Sequence, residues 1–217
     1  MGSGVDLMTT YGDYTLDEYR DALASNDPTP GGGTAAAVAL SQGAALTMMV
    51  CNLTLGKERW KEGWSIAESC IKVADPLLER GHQLASEDAE AFDQVMAAFR
   101  LPKSNDDEIA LRKSAIQDGT LNAAMVPMET ARMAYELLHI LPDLASYGNA
   151  NAVTDVGVAG LLVSAACKGA LFNVEININS LPDNLAASYR DEMEGLRVQC
   201  RDKAREVMHC VHERMQS

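Results

Sequence analysis

The chain has 217 residues, 18 Lys and Arg against 31 Asp and Glu for a formal charge of −13, and is 47% apolar but only 5% aromatic. A charge this negative repels phosphate backbones and anionic lipid head groups, which excludes broad electrostatic binding to nucleic acid or a membrane surface and leaves room only for a small anion in a local basic pocket. The length can bury a substantial core, and sparse aromatics with plentiful Ala, Leu and Met favour helices over sheets.

Residues 1–13, opening Met1-Gly2-Ser3-Gly4, read as a disordered or tag-derived N-terminus, and 14–217 as one helical domain. Thr15-Leu16-Asp17-Glu18 is a capping box that starts a short helix ending near Ser25. Pro28-Thr29-Pro30-Gly31-Gly32-Gly33 stops it in a tight loop whose backbone another group can approach closely. A charge-free helix follows from about Thr34 to Leu55. Ser41, Gln42, Thr47, Asn52 and Thr54 make it too polar for a membrane span, so it reads as a helix buried in protein. Lys57 and Arg59 then place cations at its C-terminus.

Ser65-Ile66-Ala67-Glu68 reads as a second capping box, opening a stretch to about Phe99 that Pro76 should kink or break. Leu101-Pro102 ends it. A further helical region spans about Asp107 to Leu141 with its break expected at Pro127, and Tyr147–Asn151 is loop. Thr154 can cap a second nearly charge-free helix from Asp155 to about Asn177. In the last helix Leu185, Tyr189, Met193, Leu196, Cys200, Ala204, Val207, Val211 and Met215 recur at steps of three or four, one apolar stripe. The pattern predicts an all-α bundle of five to six helices, some long and kinked. Two nearly charge-free helices are more than a chain of this length hides alone, which predicts a homodimer. Five cysteines without a C-x-x-C pair, and no apolar leader before them, predict a reduced, cytoplasmic setting.

The glycine loop opens a helix, so it can present free N–H groups to an anion or a carbonyl oxygen, or serve simply as a turn and cap. It has neither the P-loop Gly-Lys pair nor a G-x-G-x-x-G pattern. Glu-x-x-His occurs at Glu79/His82, Glu136/His139 and Glu206/His209, the spacing that holds two metals in helical bundles. His209 and His139 each lie two residues beyond an apolar stripe, on the solvent side of their helices, so no metal is expected and the di-metal bundle is kept as a rival. Asp88 falls on the line of Leu84, Phe92, Val95 and Phe99, and burial there would raise its pKa toward the value that general acid/base catalysis needs; a structural Asp paired with a buried donor is the alternative. Asp155, in line with Val158, Ala159 and Leu162, has the helix dipole as a sufficient partner. Asn149, Asn151, Asn173 and Asn177 bring amides to both ends of the second charge-free helix, to bond backbone or a heterocycle. Lys57 and Arg59 pair with the helix dipole or capture an anionic tail.

Six segments together resemble a known family. Pro28–Ala37, Met49–Lys57, Asp88-Ala89-Glu90-Ala91-Phe92, Leu101-Pro102-Lys103, Gly148-Asn149 through Asp155, and Asn173-Val174-Glu175-Ile176-Asn177 stand in the order of the cyclodeaminase/cyclohydrolase family of folate one-carbon enzymes, from about Tyr14 to Asp183. Thr34 and Thr154 stand where serine is common there, and Glu58 and Trp60 interrupt a more basic, tyrosine-ending stretch. The resemblance implies an all-helical homodimer that acts on a tetrahydrofolate-bound one-carbon unit, without metal or redox cofactor. It implies Asp88 as the catalytic acid/base, since that position matches the catalytic aspartate of the Asp-x-Glu-Ala-Phe segment. Pro30, Gly31, Gly32, Gly33 and Asp155 are then expected to bind substrate, with Asn149, Asn151, Asn173 and Asn177 toward the pterin and Lys57 and Arg59 toward the glutamate tail. Two activities fit: hydrolysis of 5,10-methenyltetrahydrofolate, favoured by the chain's length and its Met-Val-Cys-Asn-Leu-Thr wording, and the cyclodeamination of formiminotetrahydrofolate. A folate-binding protein without catalysis is a third reading.

Overall fold

The computed structural model describes residues 10–216, and among these there is no strand. Six α-helices follow in order: α1 (Leu16–Leu23), α2 (Gly32–Thr54), α3 (Trp64–Phe99), α4 (Asp106–Tyr147), α5 (Val153–Ile178) and α6 (Asp183–Gln216). Order begins earlier than the sequence suggests. Tyr11–Asp13 form a short 3-10 turn closed by bonds from the Thr10 N–H and hydroxyl to Asp13 Oδ2, both 3.0 Å, and docked on α3 by the Tyr11 N–H donating to Ser86 Oγ. The expectation for residues 1–9 lies outside the described residues.

α2, α3, α4 and α5 form an antiparallel four-helix bundle in which each packs on the next and α5 closes back on α2. The register pairs run in opposite senses: Gly33 lies beside Asp88 and Ser41 beside Gly81, while Ala36 meets Gly169 and Gly43 meets Val163. α6 lies outside, against α4 and α5. Leu40, Leu84, Met128, Leu137, Leu138, Leu141 and Leu171 fill the interior. The expected stripe of α6 is buried at Met193, Leu196, Cys200, Val207 and Val211, but runs out before Met215, which is exposed. All five cysteines are free, four of them buried.

Three local expectations are corrected. Neither Pro76 nor Pro127 ends its helix; α3 and α4 run through them, and α4 also through Pro142. Each proline removes one backbone donor, and the flanking Ala74, Leu77 and Met128 are buried, so packing on neighbouring helices carries the segment across the defect. The second capping box does not form: α3 starts at Trp64 with Gly63 at the cap, and Trp64 Nε1 donates to the Thr54 carbonyl at 3.1 Å, tying the start of α3 to the end of α2. Thr154 lies inside α5, whose N-cap is Ala152 without a side-chain cap bond; Asn149 instead caps the preceding 3-10 turn, its side-chain oxygen accepting from the Asn151 N–H. The first capping box forms as read, with the Glu18 N–H donating to Thr15 Oγ1 and the Thr15 N–H to Glu18 Oε2.

α2 and α5, the latter with its preceding turn, are long and apolar enough to cross a membrane by length and composition, and 56% of each apolar stretch is buried inside the protein. The remaining face is uncovered. It exposes Met49 and Leu53 on α2 and Val158, Leu161, Phe172 and Ile176 on α5, with Leu161 60% and Phe172 68% accessible.

Candidate active site

The site begins where the proline-glycine loop feeds α2. Pro30 is buried, and Gly31, in extended conformation, is the N-cap, leaving the first N–H groups of α2 without a side-chain cap. α3 runs antiparallel alongside and brings Asp88 over this helix end. A Cβ added at Gly33 would stand 2.6 Å from the Asp88 carboxyl carbon, so the carboxylate occupies the space that a side chain would take. The buried Thr34 hydroxyl donates to Asp88 Oδ2 at 3.3 Å. Burial pushes the Asp88 pKa above the ordinary carboxylate range, with hydrogen bonds from the Thr34 side chain and backbone opposing it.

The facing argument for Asp88 is met only in part. Leu84 is fully buried, Phe92 and Val95 are partly so, and Phe99 is 49% exposed. Deep burial at this end of α3 belongs instead to Ala85, Ala89, Ala91 and Ala98. Asp88 therefore sits where a dry face gives way to a wet one: desolvated enough to shift its pKa, open enough to meet water.

Two tyrosines that the sequence analysis missed, Tyr11 and Tyr19, lie close enough for the charge of Asp88 to act on them, and Tyr14 packs behind Tyr11. Tyr11 stacks edge-on with Tyr14 and Tyr19, ring centroids 5.5 and 6.1 Å apart. The Tyr19 hydroxyl is buried without a hydrogen-bond partner among the described residues, and its pKa is pushed up to about 12, first by burial and then by the charges of Tyr11 and Asp88. Tyr11 is raised as well, mainly by burial. The signal was three tyrosines within the nine residues 11–19 around a capping box, the first of them inside the stretch read as a loose end.

Of the four asparagines, Asn173 alone borders the glycine loop, its Nδ2 3.8 Å from where a Gly32 Cβ would lie and donating to the Gly169 carbonyl. Asn177 spends its amide on the Ala123 and Asn173 carbonyls, which fastens α5 to α4; only its oxygen is left to accept. The other candidates gather at the far end of α2. Asn149 donates from its backbone to Thr54 Oγ1 at 3.0 Å and from its side chain to the Leu53 carbonyl at 2.9 Å, capping the helix C-terminus. Lys57, Arg59 and Asn151 are exposed nearby, Asp155 is partly buried in the first turn of α5, and the Arg59 guanidinium lies 4.8 Å over the Trp60 ring. The 23 residues of α2 span roughly 35 Å at about 1.5 Å per residue. Within one chain, then, the residues expected to contact the ligand form two groups at opposite ends of α2. The larger hollows lie elsewhere: one of about 520 Å³ between α3 and α4, and one of about 480 Å³ between α5 and α6 lined by Lys168, Phe172 and Arg197 among others. Asp88 lines neither.

The Glu-x-x-His pairs do not converge. Glu79, His139 and His209 are exposed, His82 turns to Ser41, and no group of three potential ligands that could hold a metal occurs among the described residues.

Comparison with known proteins follows the same geometry. Residues 15–195 match the family model described as formiminotransferase-cyclodeaminase. The chain is 39% identical over 186 residues to a methenyltetrahydrofolate cyclohydrolase of Methylorubrum extorquens, covering 85% of this chain and 89% of that protein. It is 35% identical to the formimidoyltransferase-cyclodeaminase of Gallus gallus, matching 77% of this chain but only 31% of that longer protein. A crystal structure of formiminotetrahydrofolate cyclodeaminase from Thermotoga maritima superposes with a TM-score of 0.83 at 28% identity, over 93% of this chain and 98% of the other.

Proposed function

The chain belongs to the formiminotransferase-cyclodeaminase family, and on that premise we propose that it hydrolyses 5,10-methenyltetrahydrofolate to 10-formyltetrahydrofolate. The one-carbon bridge of this substrate is an electron-poor amidinium. Asp88 takes a proton from water as the oxygen adds to the bridging carbon, then returns that proton to the ring nitrogen as its bond to carbon breaks, while the remaining hydroxyl proton leaves to solvent as the formyl C=O forms, so that the cationic substrate gives a neutral product and one H⁺. One carboxylate whose pKa is raised toward neutrality can serve both steps. Its negative charge also favours the cationic substrate. The observation that carries this reading is the desolvated carboxylate held over an uncapped helix N-terminus by Thr34 and by the missing side chain of Gly33. The chemistry asks for a proton shuttle and no metal or redox cofactor.

Cyclodeamination uses the same group in the opposite sense, deprotonating an attacking nitrogen and protonating departing ammonia, so residue identity does not separate the two. The 39% identity over nearly the whole length of a cyclohydrolase favours hydrolysis. The enzyme works as a homodimer in the cytoplasm: the uncovered apolar face of α2 and α5 supports the dimer, and five free cysteines support a reducing compartment. Loss of the near-ultraviolet absorbance of methenyltetrahydrofolate on adding enzyme tests the hydrolase reading. Ammonia release from formiminotetrahydrofolate without that bleaching would make the protein a cyclodeaminase, and tight folate binding without turnover would make it a binding protein.

A further inference from the structure

We propose that the Tyr19 hydroxyl is a second functional group of the Asp88 site, a hydrogen-bond donor to the oxygen that water adds to the bridging carbon of the substrate. The inference rests on the hydrolase reading and deepens it by naming the partner of the new formyl oxygen.

α1 is the least supported helix of the fold. None of its eight residues is buried, and only Tyr19 and Ala22 are partly covered. A helix this short does not persist in water by itself, so contacts from outside must hold it. Those contacts converge on one side chain. Tyr19 packs edge-on against Tyr11, ring centroids 6.1 Å apart, and the Tyr11 N–H donates at 3.3 Å to Ser86 Oγ on α3, two residues before Asp88. Gly12 lies close on α3 as well, where an added Cβ would come within 3.1 Å of His82 Nδ1. Tyr11 also reaches the proline-glycine loop, where the Thr29 side chain eases its ionisation. Residues 10–23 therefore form a strap between α3 and the loop that opens α2.

What the strap covers is informative. The Tyr19 hydroxyl oxygen is shut off from solvent and has no hydrogen-bond partner among the described residues, Asp88 and Thr34 included. Burying a hydroxyl without a bond costs stability that a phenylalanine in the same place would not. Anchoring α1 therefore accounts for the ring and leaves the hydroxyl unexplained. The charge of Asp88 acts on this hydroxyl, which puts the two groups at one site. With its pKa pushed up to about 12, first by burial, the phenol stays protonated near neutrality and is a donor, not a base. Asp88 is the acceptor once ionised. The hydrolysis needs both kinds of group. As the ring nitrogen departs with the proton that Asp88 returns, the hydroxyl proton of the intermediate leaves to solvent and negative charge gathers on the oxygen that stays. A neutral phenol donating to that oxygen stabilises the charge and transfers no proton of its own. The oxygen ends as the formyl C=O, and Tyr19 is unchanged.

Tyr19→Phe in the full chain removes the hydroxyl and spares the ring. It should lower kcat for methenyltetrahydrofolate by about 10² and change KM far less, because the bond strengthens as charge develops. Thermal unfolding should occur at the native temperature or above it, since an unbonded hydroxyl has been taken out of the interior. A ring-fluorinated tyrosine incorporated at position 19 gives a second reading that a packing role would not move. Its phenol is more acidic, so the alkaline limb of kcat should shift to lower pH as the donor ionises, while the acid limb set by Asp88 stays in place. An unchanged kcat in Tyr19→Phe, or an alkaline limb indifferent to fluorination, overturns the role of Tyr19 and leaves the hydrolase reading standing. A native chain that fails to bleach methenyltetrahydrofolate overturns the hydrolase reading, and this role with it.

Discussion

A carboxylate pressed against a helix end pays for its position in desolvation, and the consequences at Asp88 are measurable. Its folded pKa is raised, so its contribution to stability is present below about pH 4, the unfolded value, and is lost as the pH climbs through the folded one. Asp88→Asn should therefore be at least as stable as the native chain near neutrality, with the difference in Tm vanishing toward pH 4, while turnover falls by about 10²–10⁴; a variant both destabilised at pH 7 and fully active would remove the residue from the mechanism. Thr34 acts in the other direction, because its hydrogen bonds stabilise the charged form. Thr34→Val keeps the shape and removes the donor, which should move the acid limb of the kcat/KM profile to higher pH. An unshifted limb would mean that another group controls it.

Helices meet here at two kinds of glycine, and the same substitution separates them. At Gly33 a new Cβ meets the far end of a flexible side chain, so the Gly33→Ala chain should fold normally and lose about 10² in turnover through a displaced carboxylate. At Gly81 the added atom would lie 2.9 Å from the Ala37 carbonyl oxygen and 2.8 Å from Ser41 Cβ, on the backbone of α2. Neither can yield without parting α2 from α3. Gly81→Ala gains about 1 kcal/mol of helix propensity and loses about 1–3 kcal/mol to overpacking, so thermal unfolding should show a net loss of Tm. An equal effect of the two variants on Tm would contradict the distinction. The uninterrupted α3 and α4 rest on the same balance: single-residue penalties at Pro76 and Pro127 are small beside the burial that a 36- or 42-residue helix gains along its whole face.

At the level of the whole molecule, the exposed apolar residues of α2 and α5 form a face that a lone protomer leaves wet. Leu161 is 60% accessible, so Leu161→Glu should leave the protomer folded by circular dichroism while light scattering at micromolar concentration registers a monomer, and turnover should fall with dimerisation. A native chain that is itself monomeric and fully active would refute both the dimer and its role.

What the amino-acid sequence determined by itself was local or periodic. Helix content, the first capping box, the apolar stripe of α6, the solvent positions of His139 and His209 and the partial burial of Asp88 follow from spacings of three or four residues, which hold whatever the helix packs against. The partnerships needed the tertiary structure. Where Asn149 sits ahead of α5, whether a proline ends a helix, and which tyrosines crowd Asp88 depend on chain segments distant in sequence, such as Asn149 donating to Thr54 and Ser86 holding Tyr11. The same holds for the ligand contacts: Asp88 and Lys57 look like members of one set in a string of letters, and only the straightness of a rigid helix with about 1.5 Å of rise per residue puts them at opposite ends of the bundle.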